Sequence, residues 1–127
     1  ETLEYLKRSG RVTAAGAALS TILSIRPLLK IEEGQLDAYA KVRGTVACQE
    51  RLVSAIKEGM DWFTSRGWTY RVAAADSYSR PEDRSRWLSL VSSQLGLKEI
   101  GYTPLTCSIG CHVGANAFGM AVSRKLA

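Results

Sequence analysis

The run TVACQERLVSAIKEGMDWFTSRG, residues 45 to 67, constrains the fold more than any other part of the chain. Leu52, Val53, Ile56, Met60 and Phe63 recur at helical spacing, so the run reads as one long helix with a single apolar stripe. Thr45 is the expected N-cap and Gly67 the expected stop. A stripe of that kind has to be covered by another layer. The segments on either side supply one. In LDAYAKVR, Leu36, Ala38, Ala40 and Val42 alternate with Asp37, Tyr39, Lys41 and Arg43, the period-two pattern of a half-buried strand. Downstream, TYRVAAAD reads as a buried strand.

The remaining segments fit the same layering. Residues 2 to 9 read as a short helix with Leu3 and Leu6 on its apolar side, ended by Gly10. Thr13 caps a second helix, AAGAALSTILSI, which Pro27 stops before the extended run RPLLKI. Glu32-Glu33-Gly34-Gln35 forms a hairpin turn. Ser79-Arg80-Pro81-Glu82 opens a helix, with Ser79 as cap, and Trp87, Leu88, Val91 and Leu95 form its apolar face before Gly96 ends it. KEIGYTPL is a short strand, a glycine-rich loop carries the histidine, and FGMAVS is the last strand. The expected fold class is α/β (α+β), with a mixed, largely antiparallel sheet flanked by helices, forming one domain over residues 1–127. The chain opens on the charged ETLEYLKR without Met, inside what reads as a helix, so a piece of a longer protein is expected.

Charge and cysteine usage narrow the function classes. Seventeen Lys and Arg against twelve acids leave a net charge of +5, with no dense basic block. Basic residues interleaved with exposed aromatics on one element are missing, so no nucleic-acid partner is expected. The longest apolar stretch, Ala14 to Leu29, is broken by Gly16, Ser20, Thr21, Ser24, Arg26 and Pro27, so no stable membrane insertion is expected. Cys48, Cys107 and Cys111 cannot all pair with one another, which favours thiols in a reducing cytoplasm over a disulfide framework.

The sole histidine stands in CSIGCHVGANAFG, residues 107 to 119. Three readings of that stretch stay open from the residues alone. Cys107, Cys111 and His112, with Cys48 as a fourth, are possible metal ligands, but the spacing is poor and adjacent Cys and His diverge on an extended backbone. The glycines Gly110, Gly114 and Gly119 let backbone N–H groups approach an anion, and His112 can donate to a carboxylate. Or the glycines serve turns and His112 is structural. Catalysis is not expected, since neighbouring Cys111 and His112 do not align as nucleophile and base and no carboxylate is near in sequence. Arg11, after the Ser9-Gly10 helix end, and Arg43, before Gly44 and a helix start, are placed to meet an anion, although a solvated surface charge is the commoner fate of an arginine.

Four segments in order, LEYLKRSGRV, AALSTILSIRPLL, EEGQLDAYAKVRG and GCHVGANAFG, resemble the C-terminal half of the DegV family of bacterial fatty-acid-binding proteins. The resemblance implies a protein that is not itself an enzyme and takes no cofactor beyond its bound fatty acid. Such proteins hold one long-chain fatty acid in an apolar tunnel and present its carboxylate to a fatty-acid kinase, which makes an acyl-phosphate. It implies that His112, in the G-x-H-x-G loop, and Arg11, in the L-K-x-x-G-R-[IV] motif, belong to the carboxylate network. Arg43, in the K-V-R motif, would face the kinase. The family's N-terminal lipid-binding domain, with its own Thr and Ser ligands, is absent from these residues. Leu19, Ile22, Leu23 and Ile25 are apolar enough to line a tunnel, and equally to pack a core. The family loop H-x-G-P-G-A is here His112-Val113-Gly114-Ala115-Asn116-Ala117, and Asn tolerates the left-handed backbone such a turn needs. The alternatives are a structural or interaction domain of the same fold without lipid, and a small-molecule enzyme using the Cys111-His112 loop.

Overall fold

A computed structural model describes residues 25–126. Strands β1 (Ile25–Glu32) and β2 (Gln35–Arg43) form an antiparallel hairpin. The long helix α1 (Thr45–Ser65) leads to β3 (Tyr70–Asp76), then α2 (Pro81–Leu95), β4 (Gly101–Pro104), the short helix α3 (Cys107–Val113) and β5 (Phe118–Arg124). The expected single sheet is two sheets among the described residues, the hairpin and a three-stranded sheet of order β4-β3-β5. β3 runs parallel to β4 and antiparallel to β5, so the mixed, largely antiparallel expectation holds at the level of strand pairs. α1 packs against the hairpin, the three-stranded sheet and α2, which is why it carries the longest apolar stripe.

The core lies between α1, α2 and the three-stranded sheet. Val53, Ala74, Trp87 and Val91 are its buried centre, with Leu52, Leu88, Phe118 and Met120 packed around them. The Trp87 ring sits 5.1 Å from that of Phe118, and its indole N–H donates to the Ala75 carbonyl at 3.3 Å, so the buried indole is satisfied. Gly59, inside α1, lies close against the sheet. A Cβ there would stand 2.7 Å from the Val122 Cγ1 methyl on β5. Alanine normally favours a helix over glycine by about 1 kcal/mol, but overpacking costs roughly 1–3 kcal/mol. Gly59→Ala is therefore expected to lower the thermal midpoint, with a net loss of up to about 2 kcal/mol. A raised midpoint on calorimetry would show that β5 yields freely.

Several local expectations are corrected. Gly44, at φ 89°, takes the N-cap of α1 in place of Thr45, because the sharp exit from β2 needs a positive φ that a β-branched residue resists. Arg80, not Ser79, is the N-cap of α2, and neither helix has a side-chain cap. Pro81 does open α2, and Gly96 closes it in the left-handed conformation with its N–H on the Ser92 carbonyl. The hairpin turn is as expected, with Glu33 and Gly34 both at positive φ. The alternation in β2 is not. The register slips between Leu28, opposite Ala40, and Leu29, opposite Ala38, leaving Tyr39 as an extra residue. Ala38 is consequently exposed, and Tyr39 turns towards α1, where its hydroxyl accepts from Arg51 at 3.0 Å and donates to Glu58 at 3.3 Å. Ile25 opens β1 and does not end a helix. The helices expected over residues 2–9 and 14–24, with Leu19, Ile22 and Leu23, lie outside the described residues.

Candidate functional site

The histidine stretch is not a loop. Residues 107–113 are the helix α3, and His112 is its sixth residue. Adjacent positions on a helix are about 100° apart, so Cys111 and His112 diverge for a reason other than an extended backbone. Cys111 and Cys107 are exposed. Cys48 is buried on α1 and its thiol donates to the Val42 carbonyl at 3.5 Å. Among the described residues no three His, Cys, Asp or Glu side chains gather where one metal ion would reach them.

His112 is half-buried, and its Nδ1 is enclosed with no hydrogen-bond partner among the described residues. Leaving such an atom unsatisfied costs about 1–3 kcal/mol. Gly114 ends the helix at φ 77° and ψ −170°, a conformation open to glycine, and its N–H donates to the Gly110 carbonyl at 2.8 Å. Asn116 then takes φ 59°, the left-handed backbone expected of it from the sequence. Its side chain does more than tolerate the turn. Asn116 Oδ1 accepts from the Ser79 N–H and from the Ser79 hydroxyl, both at 3.3 Å.

This turn is stitched to the segment after β3. The Ser77 hydroxyl donates to the Gly114 carbonyl at 2.8 Å and accepts from the Ala117 N–H at 2.9 Å. The Ser77 N–H donates to the Ala117 carbonyl, and the Asn116 N–H to the Ser77 carbonyl. Behind it stands Asp76, fully buried at the end of β3. Its Oδ1 accepts from the Tyr78 N–H and from Arg84 Nε, both at 3.1 Å, and Arg84 also reaches the Tyr78 carbonyl at 3.2 Å. The carboxylate raises the Arg84 guanidinium above its ordinary range, through the hydrogen bond first and its charge second. Burial, and then the Asp76 charge, push the Tyr102 hydroxyl up as well, with Arg84 opposing. Asp76 Oδ2 is enclosed without a partner among the described residues. The Tyr78 hydroxyl accepts from Gln49 at 2.8 Å, which ties the same segment to α1.

Of the three arginine and histidine positions singled out in the sequence, His112 stands near the end of α3, two residues before this stitched turn. Arg43 is the last residue of β2, exposed, directly before the Gly44 cap. Arg11 lies outside the described residues. Ser77, Asp76 and Arg84 escaped the sequence reading. An Asp closing an apolar strand before Ser-Tyr-Ser is the signature of an Asx turn and was the available signal. The pairing of Ser77 with residues 114–117 had none, since it spans about forty residues.

A family model described as "Uncharacterised protein, DegV family" matches residues 1–125. This chain belongs to the DegV family. It is 30% identical over 122 residues to a DegV domain-containing protein of Deinococcus radiodurans, covering 96% of this chain and 42% of that protein. A fatty acid binding DegV family protein from Streptococcus agalactiae superposes with a TM-score of 0.79 at 26% identity, over 99% of this chain and 43% of that one. A DegV family protein from Thermus thermophilus, described by its fatty acid binding, gives 0.74 at 26% identity over 98% and 43%. This DegV chain thus spans less than half the length of the relatives it matches. Both the family and the fold class read from the sequence are borne out. No helix of the described residues is long and apolar enough to cross a membrane.

Proposed function

We propose that this chain is the C-terminal domain of a cytoplasmic two-domain DegV carrier that binds a long-chain fatty acid and does not transform it. His112 and Arg11 grip the carboxylate, and a preceding domain supplies the rest of the socket and the apolar channel. The observation that carries the reading is the chain's sole imidazole, on a short helix that runs straight into a doubly pinned turn, with an enclosed nitrogen that no described residue satisfies. Buried polar atoms in proteins are nearly always satisfied, and a carboxylate is an apt partner for imidazole N–H and guanidinium donors. Similarity to DegV proteins named for fatty acid binding, at 26% identity, points the same way. The direct test is organic extraction of the full-length protein followed by mass spectrometry. One long-chain fatty acid per protein is the expected result. A protein that carries none, and takes none up on incubation, is instead a structural or interaction domain of the same fold.

The partner that consumes the ligand is a fatty-acid kinase, and Arg43 faces it. Arg43 is exposed at the open end of the hairpin, next to the start of α1, where a charged partner surface meets it without disturbing the His112 turn. Arg43→Ala is expected to leave fatty-acid affinity unchanged and to lower acyl-phosphate formation with the kinase by about tenfold or more, the effect of losing an interfacial arginine anchor. Release of lipid by this substitution would show that the two roles are not divided between Arg43 and His112.

A further inference from the structure

We propose that Ser77 is a positioning residue for the carboxylate donor, its one hydroxyl clamping both ends of the turn that follows His112. The inference rests on the proposed head-group role of His112 and adds the residue that aims it. Helix α3 has no fully buried residue and no side-chain N-cap, and Cys107, Ile109 and Cys111 all face solvent. Core packing therefore does little to orient it, and its ends decide where its side chains point. At the entry, the Leu105 N–H is bound to the Asp76 carbonyl at 2.8 Å. At the exit, every polar group of Ser77 is committed to residues 114–117, with the hydroxyl bridging the Gly114 carbonyl and the Ala117 N–H. Two consecutive residues of one strand end, Asp76 and Ser77, thus hold both ends of the helix that carries the imidazole. Asp76 is in turn locked by Arg84 and the Tyr78 N–H. Removing the Ser77 hydroxyl orphans two backbone groups at the His112 end while leaving the two backbone bonds of Ser77 in place, so the turn persists but loosens.

The test separates aim from stability by using two ligands that share a tail. Titrate the full-length protein, and its Ser77→Ala and Ser77→Thr forms, with a long-chain fatty acid and with its methyl ester, which lacks the charged head. Wild type is expected to prefer the acid. Ser77→Ala is expected to shrink the acid-over-ester preference by about three- to tenfold, the scale of one or two lost hydrogen bonds, with ester affinity unchanged. Ser77→Thr keeps the hydroxyl and is expected to restore the preference. A preference that stays at the wild-type value in Ser77→Ala, or equal weakening of acid and ester, overturns the positioning role and leaves the carrier reading intact. A wild type with no preference for the acid removes head-group recognition itself, and both fall.

Discussion

His112→Ala and Arg11→Ala are each expected to weaken fatty-acid retention by about tenfold to a hundredfold, the loss of one charge-assisted hydrogen bond at roughly 1.5–3 kcal/mol. The effect should be confined to ligands with a free carboxylate, because neither side chain is assigned to the tail. The two residues are proposed to act on one group, so their losses should not add. A double-mutant cycle is expected to show a coupling of about 0.5–3 kcal/mol, where independent sites would sum to within a few tenths. Unchanged affinity in both single variants would remove the head-group assignment. Additive losses would leave two separate contributions and no shared grip.

Trp87→Ala is expected to carry the largest stability cost among the described residues, about 3–5 kcal/mol, against a total of roughly 5–15 kcal/mol for a typical domain. The indole is fully buried at the centre of the core, and three things go with it. A cavity opens between α2 and the sheet, the contact with Phe118 is lost, and the Ala75 carbonyl loses its donor on the central strand. Trp87→Phe keeps a ring but not the N–H, and is expected to cost less, on the order of 1–3 kcal/mol. Urea unfolding followed by circular dichroism measures both. Equal costs for Ala and Phe would mean that the hydrogen bond, and not the filled volume, is what matters there. The consequence reaches the site, since Phe118 opens β5 directly after the Asn116-Ala117 turn and stacks on Tyr78 at 6.4 Å.

The framework was legible because long amphipathic elements carry their own partners in their pattern. Leu52, Val53 and Ile56 announce α1, Trp87 and Val91 announce α2, and Gly34 and Gly96 mark where the chain must turn. The errors cluster where a non-local contact decides the outcome. α3 is too short for its residues to announce a helix, and Gly110 inside it argues against one; its ends, held by Asp76 and Ser77, settle the matter. Tyr39 broke the strand alternation because Arg51 and Glu58 on α1 meet its hydroxyl. Ser79 was a reasonable cap on local grounds, yet its hydroxyl and N–H go to Asn116. At the site, His112 stood out as the only imidazole in a glycine-rich setting, while the residues that aim it were hidden by their sequence separation. Arg11 and Arg43 drew notice by position beside turns and helix ends, and their roles came from the family resemblance.

The central claim is that His112 and Arg11 converge on one carboxylate. A crystal structure of the full-length protein with a long-chain fatty acid bound tests it most directly. The account predicts a carboxylate oxygen within about 3.2 Å of an imidazole nitrogen of His112, with the Arg11 guanidinium on the same head group. A head group lodged elsewhere, or Arg11 and His112 on opposite sides of the sheet, would contradict it.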